Sequence, residues 1–448
     1  MSHLPRLNVV LLGHHQSGKS TLAGHLSCLQ REFTVNPNGL PFKQISDYTA
    51  NEISCGHSVN TSYLRCDASE VFQIMVMDAP SKFPRAAVHA ISQADVAVIV
   101  VSSVKGEYEE SLVPHTGTTW QHLILARAFG IKDLIVCVNK MAHDSVNYSP
   151  DNLKLVRDQI FPLAKKSGFR RPFVVSVDAE TGENLRDRCS KMMWSSKSLL
   201  NLIDSMEPPT RDENSPLRFV LQESYQISGI GIVVSGTILR GSISPGDVLQ
   251  FNPASDFLPS VEVKSLEMRL QPVERAIAGD FVSVNIRGSS GARIRWRCMG
   301  IKRGQLMSQE TLPGVTQFYA ILSILRAPGG VICCGYTPTC LFATRHISCT
   351  IVEIAEEYSR KNKKVKGHPQ TLTSGNLVKV LMRTESQHLQ VELKEELSRM
   401  GRFAIYERGL IVAVGTIETI LAPQERITQR KPETTVSKNT GRLTKAAK

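Results

Sequence analysis

Gly13-His14-His15-Gln16-Ser17-Gly18-Lys19-Ser20 fits the pattern G-x-x-x-x-G-K-[ST] at every position. The apolar run Leu7–Leu12 leads into it and a helical stretch, Lys19–Gln30, leads out, which is the strand–loop–helix setting the pattern requires. The two glycines let successive backbone N–H groups curl round phosphate oxygens with no Cβ in the way. A helix opening near Lys19 aims the positive end of its dipole at the same anion. In such a loop Lys19 bridges the β and γ phosphates and the Ser20 hydroxyl ligates Mg²⁺. The stretch therefore predicts a strand–loop–helix cradle enclosing a di- or triphosphate.

Outward from the loop, short apolar runs alternate with helical stretches up to about Met206. Leu7–Leu12, Val71–Met77, Ala94–Val101, Leu134–Val138 and Pro172–Val177 have strand length and β-branched content. Lys19–Gln30, Thr118–Phe129 and Asp151–Ser167 read as helices between them. That alternation implies crossover units and a mostly parallel sheet. Asp78 ends the second apolar run, the place from which an aspartate holds Mg²⁺ through water in proteins with this loop. Asn139-Lys140-Met141 ends the fourth run. By itself the dipeptide means nothing, but third in order after the loop and Asp78 it is similar to the motif by which GTPases hold a guanine ring and brace the phosphate loop.

Glu207-Pro208-Pro209-Thr210-Arg211-Asp212-Glu213-Asn214 is rich in proline and charge and reads as a linker. Beyond it, short strands are punctuated by Ser244-Pro245-Gly246-Asp247, Ala278-Gly279-Asp280 and Ala327-Pro328-Gly329-Gly330, a spacing of all-β barrels or sandwiches. A further boundary falls near Gln309–Pro313. The expected organisation is an α/β P-loop domain over 1–208, β-barrels over 215–308 and 312–422, and a disordered basic tail over 423–448.

A chain of 448 residues with 42% hydrophobic and 21% charged content is an ordinary globular, multi-domain composition. The longest uncharged apolar run, Val96–Val101, has strand length, so no membrane span is expected, and Met1–Asn8 has no apolar leader core. The ten cysteines form no CxxC pair, which predicts reduced thiols in a cytoplasmic protein. The net charge of +12 favours a polyanionic partner. Basic residues concentrate at Arg360, Lys361, Lys363, Lys364 and Lys366 and in the tail, where seven Lys or Arg face two Glu.

Asn8-Val9-Val10-Leu11-Leu12-Gly13-His14, Ser17-Gly18-Lys19-Ser20-Thr21, Gly24-His25-Leu26, Ser92-Gln93-Ala94-Asp95 and Val138-Asn139-Lys140-Met141 together resemble eukaryotic elongation factor one-alpha. Pro216-Leu217-Arg218, Gly229-Ile230-Gly231, Val263–Met268, His346-Ile347, Gly401-Arg402-Phe403-Ala404 and Val412-Ala413-Val414-Gly415 extend the resemblance, in order, to about Leu421. It implies a GTPase domain followed by two β-barrels, with GTP or GDP and Mg²⁺ as cofactors. It also implies a monomer whose partners are aminoacyl-tRNA, the ribosome and a nucleotide-exchange factor. Carried over by position, the nucleotide-binding residues are Gly13, His14, His15, Gln16, Ser17, Gly18, Lys19, Ser20, Thr21, Asp78, Asn139, Lys140, Met141, Asp178 and Ala179; the metal residues are Ser20, Ser58 and Asp78.

The departures from the family pattern gather around the nucleotide. Asn-Lys-x-Asp ends here in Ala142, and losing that carboxylate removes a hydrogen-bond partner worth a factor of roughly 10⁴ in base discrimination. Asp144 reaches the base only through a rearranged loop. Asp-Ala-Pro-Gly-His becomes Asp78-Ala79-Pro80-Ser81-Lys82, so Lys82 stands where the family histidine orients the attacking water; an ammonium donates but cannot accept. Slow or absent hydrolysis is expected. Gly-Ile-Thr-Ile appears as Gly56-His57-Ser58-Val59, Val-Asp inside the loop as His15-Gln16, and Ser-Gly near the base as Asp178-Ala179. Three functions stay open on this reading: a tRNA-delivering elongation factor with weakened hydrolysis and guanine selectivity, a pseudo-GTPase binding scaffold, and a release or ribosome-rescue GTPase with a protein partner.

Overall fold

The computed structural model describes residues 4–421 apart from 31–40, 48, 56, 83, 253–259, 269–270, 290–303, 359–363 and 386–388. The expected basic tail, with Arg360, Lys361 and Lys363, lies outside the described residues.

The first unit runs β1 (Arg6–Gly13), α1 (Lys19–Cys28), α2 (Phe42–Ser46), α3 (Ala50–Cys55), β2 (Ser62–Cys66), β3 (Gln73–Asp78), α4 (Pro84–Gln93) and β4 (Val96–Ser102). It continues through α5 (Thr118–Ala128), β5 (Asp133–Asn139), α6 (Pro150–Lys166), β6 (Phe173–Ser176) and α7 (Leu199–Asp204). The sheet order is β2-β3-β1-β4-β5-β6. Every pairing is parallel except β2 with β3, an antiparallel edge that the sequence reading did not anticipate.

Strand alternation sends Val10 and Leu12 into one core with residues of α4, α5 and α6, and Val9 and Leu11 into another with residues of α1 and α7. With helices on both faces, the central β4 is buried along its whole length, which explains its unbroken apolar run. Helix α6 shows its start in sequence: Ser149 Oγ accepts from the Asp151 N–H, and Pro150 stands at the first helical position.

Beyond the linker, strands Val248–Asn252, Leu306–Ser308, Arg218–Ile227, Gly231–Arg240, Phe281–Gly288 and Val261–Met268 pair in that order, and the last pairs back with the first. The ring is a closed barrel, which leaves no edge along it. The final sheet has eight strands between Gln317 and Leu421, and residues from across it share one core around Phe318, Phe342 and Phe403.

The three units meet at the turn between α4 and β4. The Asp95 carboxylate accepts from the Asn8 N–H at 2.9 Å, from Arg211 of the linker at 2.7 Å and from Arg399 of the final β unit at 2.6 Å. Arg399 also donates to the Gln93 carbonyl at 2.8 Å, and Gln93 Oε1 accepts from Thr237 Oγ1 of the closed barrel at 2.7 Å. No helix among the described residues is long and apolar enough to cross a membrane.

Candidate functional site

Gly13 ends β1, Asp78 ends β3, Asn139 ends β5 and Asp178 follows β6, so the predicted residues gather at the carboxyl ends of the parallel strands. The phosphate loop is curled by two glycines in the left-handed region. Gly13 has φ +138°, and a Cβ there would lie 2.2 Å from the Val100 carbonyl oxygen. Gly18 has φ +91°, and a Cβ there would lie 2.1 Å from Asn139 Nδ2. Only glycine fits both the conformation and the space.

Inside the loop, Ser17 Oγ and Lys19 Nζ donate to the His14 carbonyl at 3.0 and 2.6 Å. The ammonium expected to bridge phosphates therefore caps the loop's own carbonyl. From outside, Asn139 Nδ2 donates to the Ser17 carbonyl at 2.9 Å, and the Gly13 N–H donates to His122 Nδ1 at 3.0 Å. His122 is a brace that the sequence reading missed. It lies on α5, and its neutral imidazole is enforced by burial and by nearby Lys19, which push it down to about 3.

Beside the loop, Ser20 Oγ lies 3.0 Å from Ser58 Oγ, and Ser46 Oγ donates to Asp78 Oδ2 at 2.9 Å. Ser20 and Ser58 also hydrogen-bond the Asp47 carboxylate. Asp78 Oδ1 and Asp47 Oδ2 are buried oxygens with no hydrogen-bond partner. Burial pushes Asp78 up to about 6 against the pull of Lys19, and pushes Lys19 down to about 8. It raises Asp47 as well. Two orphaned carboxylate oxygens beside two hydroxyls form an all-oxygen set that fits a hard divalent cation such as Mg²⁺. No group of three or more His, Cys, Asp or Glu in metal-holding geometry occurs among the described residues, so the hydroxyls are essential to the set.

Asp47 and Ser46 escaped sequence reasoning, although Asp47 precedes Ser58 by only eleven positions. Ser58 is placed by a third unforeseen residue. Glu52 Oε2 accepts from Thr49 Oγ1 at 2.6 Å at the start of α3, while Oε1 accepts from the Val59 and Asn60 N–H groups at 3.0 and 3.1 Å. Those bonds hold Glu52 below the usual carboxylate range in spite of its burial.

On the base side, Asn139 Oδ1 accepts from the Ala179 N–H at 2.9 Å, joining two predicted residues. Lys140 takes φ +66° and donates to Glu107 Oε2 at 2.6 Å, while Met141 is buried. Asp178, a weak match in sequence, proves to be a loop brace. Its Oδ2 accepts from the Ala142 N–H at 2.9 Å, and its Oδ1 accepts from the Thr181 and Glu180 N–H groups at 3.0 and 3.2 Å. Asp144 is exposed. Neither carboxylate stands in for the one absent at Ala142.

His15, Gln16, Lys19, Ser20, Thr21, Lys43, Asp47, His57, Ser58, Ser81 and Lys140 are among the residues that line a pocket of about 190 Å³ over the loop. Lys82 is exposed next to it in sequence, in the turn after β3.

The sequence and the fold have relatives among known proteins. Residues 4–209 match the family described as the Elongation factor Tu GTP binding domain, and residues 317–418 match the GTP-eEF1A C-terminal domain-like family. The chain is 33% identical to elongation factor 1-alpha of Sulfurisphaera tokodaii, over 93% of this chain and 98% of that protein. It is 33% identical to elongation factor 1-alpha of Xenopus laevis, over 92% and 94%. Among solved structures it is similar in fold to translation elongation factor SelB from Methanococcus maripaludis, at 20% identity and TM-score 0.66, covering 94% of this chain and 81% of that one. The Saccharomyces cerevisiae Ski7 GTPase-like domain bound to GTP gives 16% identity and TM-score 0.69, over 93% and 98%.

Proposed function

Because the chain belongs to the elongation factor 1-alpha family of translation GTPases, we propose that it binds GTP and GDP with Mg²⁺ and delivers aminoacyl-tRNA to the ribosome in the cytoplasm, with weakened hydrolysis and guanine selectivity. The observation that carries this reading is the pairing of a curled phosphate loop with two partnerless carboxylate oxygens beside it.

On this reading Ser20 and Ser58 would hold Mg²⁺, with Asp78 and Asp47 neutralising its charge, and the bound ion would supply Lewis-acid stabilisation of phosphate oxygens. Lys19 leaves the His14 carbonyl for the phosphates when a nucleotide enters. Asn139 keeps the loop and the Ala179 amide in register beneath the base. A base in that place finds no carboxylate at Ala142, and Lys82 offers an attacking water no acceptor.

We take residues 1–208 as the nucleotide domain and 215–308 and 312–422 as the barrels. A crevice of about 260 Å³ opens between the first two units, lined in part by Arg6, Tyr63, Arg65, Glu267 and Phe281. Tyr63 and Phe281 stack there, with ring centroids 4.7 Å apart. An exchange factor is part of the proposed cycle, and the chain acts as a monomer in it.

Calorimetry of the full chain with GTP, GDP and ATP in Mg²⁺, followed by filter binding of aminoacyl-tRNA, tests the proposal. Nucleotide-dependent tRNA binding supports it, and absence of any nucleotide binding overturns it. A second reading, a pseudo-GTPase scaffold, is favoured by Ala142 and Lys82 together; nucleotide binding without turnover or tRNA binding is its signature. A release or rescue role would show instead as co-purification with a tRNA-shaped protein.

A further inference from the structure

Between strands Leu377–Arg383 and Arg402–Glu407, residues 389–401 of the final β unit form neither helix nor strand and reach across both other units. The Glu392 carboxylate pairs with Arg218 and Arg240 of the closed barrel, with the second at 3.2 Å. Met400 is buried against Val220 and Leu306 of the same barrel, and Leu397 packs beside them. At Gly401 the segment doubles back on itself. A Cβ there would lie 2.5 Å from the Lys394 backbone nitrogen, an approach that only glycine allows.

Toward the first unit, the segment and the residue after it extend two guanidiniums. Arg399 donates to the Gln93 carbonyl at 2.8 Å, the Ala94 carbonyl at 3.2 Å and the Asp95 carboxylate at 2.6 Å. Arg402 donates to the Ala128 carbonyl at 3.0 Å. Gln93 ends α4 and Ala128 ends α5, where the last carbonyls of a helix lack partners of their own. Two helices of the first unit are thus capped by arginines of the final one. Units of one chain that meet over a small polar seam ordinarily move against each other. Here any such movement strips three hydrogen bonds from Arg399 at once, one of them to a carboxylate that is only 5% exposed.

We propose that residues 389–401 are a strap, with Arg399 as its catch, that keeps the three units in one arrangement whatever fills the phosphate pocket. The described lining of that pocket includes none of the strap's residues. A partner then senses the ligand through the segments that do line it, around Lys43, Asp47, His57 and Ser58, and meets the β units in a fixed position. The strap itself needs no nucleotide; only the ligands that test it rest on the nucleotide-binding reading.

Small-angle X-ray scattering and amide hydrogen exchange test the strap on the full chain. Samples carry no ligand, GDP, or guanosine 5′-(β,γ-imido)triphosphate, the last two with Mg²⁺, and calorimetry establishes binding. Wild type should give one scattering profile throughout. In Arg399→Ala, Asp95 keeps Arg211 at 2.7 Å, so no buried charge is left unpaired and the variant should fold. Its amides over residues 90–97 should exchange roughly 10-fold faster, the worth of a charge-assisted hydrogen bond. Its scattering profile should widen and come to differ between the two ligands. Arg399→Lys keeps the charge without the fork and should fall between the two. Wild-type profiles that change with the ligand overturn the strap. So does an Arg399→Ala profile that matches wild type, even with faster exchange, since Arg399 would then be a helix cap alone. Absence of ligand binding overturns the nucleotide reading, while ligand-free wild type and Arg399→Ala still decide the strap.

Discussion

The imidazole of His122, on α5, accepts a hydrogen bond from the backbone N–H of Gly13, the first residue of the phosphate loop, at 3.0 Å. Its folded value, near 3, lies below the ordinary histidine value of 6.5. Stability from the neutral ring is therefore fully present above about 6.5 and is lost as pH falls towards 3. Between pH 7 and pH 5 the loss amounts to about 2 kcal/mol. His122→Asn keeps an acceptor and removes the titration, so urea unfolding at both pH values should show a flatter acid limb. An acid limb as steep as wild type would show that the bond does not govern it.

Gly18→Ala places a methyl group 2.1 Å from Asn139 Nδ2 in backbone that L-residues avoid. The amide must swing away, releasing both the Ser17 carbonyl and the Ala179 N–H. We expect a loss of about 1–3 kcal/mol in stability, with nucleotide affinity falling along with it. Denaturant midpoints and fluorescent-nucleotide titration measure the two effects.

Asp47→Asn replaces a buried, partnerless carboxylate oxygen by a neutral group. Without metal the variant should equal wild type in thermal stability, since its amide oxygen still accepts from Ser58 and Ser20 while the charge beside the partnerless Oδ2 is removed. With nucleotide, its Mg²⁺ requirement should rise roughly 10- to 100-fold. Nucleotide titrations across a Mg²⁺ series decide this, and an unchanged requirement would place Asp47 outside the cation's reach.

Ala142→Asp returns the acceptor pair that a guanine ring's N–H and amino groups use. Discrimination between GTP and ATP should improve by at least about 10²-fold, with little change in affinity for GDP's phosphates. Competition binding with both nucleotides measures it. Asp178, which already accepts from the backbone N–H of residue 142, keeps the loop in place while the side chain changes.

The residues legible in sequence were those whose chemistry demands one residue type at one offset. Gly13, Gly18, Lys19, Ser20, Asp78 and Asn139 were of this kind, each at a strand end or loop where backbone approach or ligand geometry admits no substitute. Asp47, Glu52 and His122 were not legible. They act through contacts made only after folding: Glu52 through backbone amides seven and eight residues on, His122 across 109 residues to Gly13.

Elements followed the same division. Runs with strand or helix periodicity were found to within about two residues, whereas the edge strand Ser62–Cys66, with mixed polarity, and the ten-residue α4, opened by Pro84, passed unread. Asp178 shows the reverse error of judgement. It matched no pattern well, yet three backbone N–H groups converge on it because the loop after β6 needs an anchor.

Helix α4 begins three residues past Ser81, at the rim of the phosphate pocket, and ends at Gln93, where the closed barrel and Arg399 take hold. Ten residues of helix make a strut about 15 Å long. One end starts beside the phosphate pocket and the other is bolted to both β units, with Asp95 as the rivet two residues on. A displacement at the near end has ten residues of helix through which to reach the contacts that Gln93 makes with both β units.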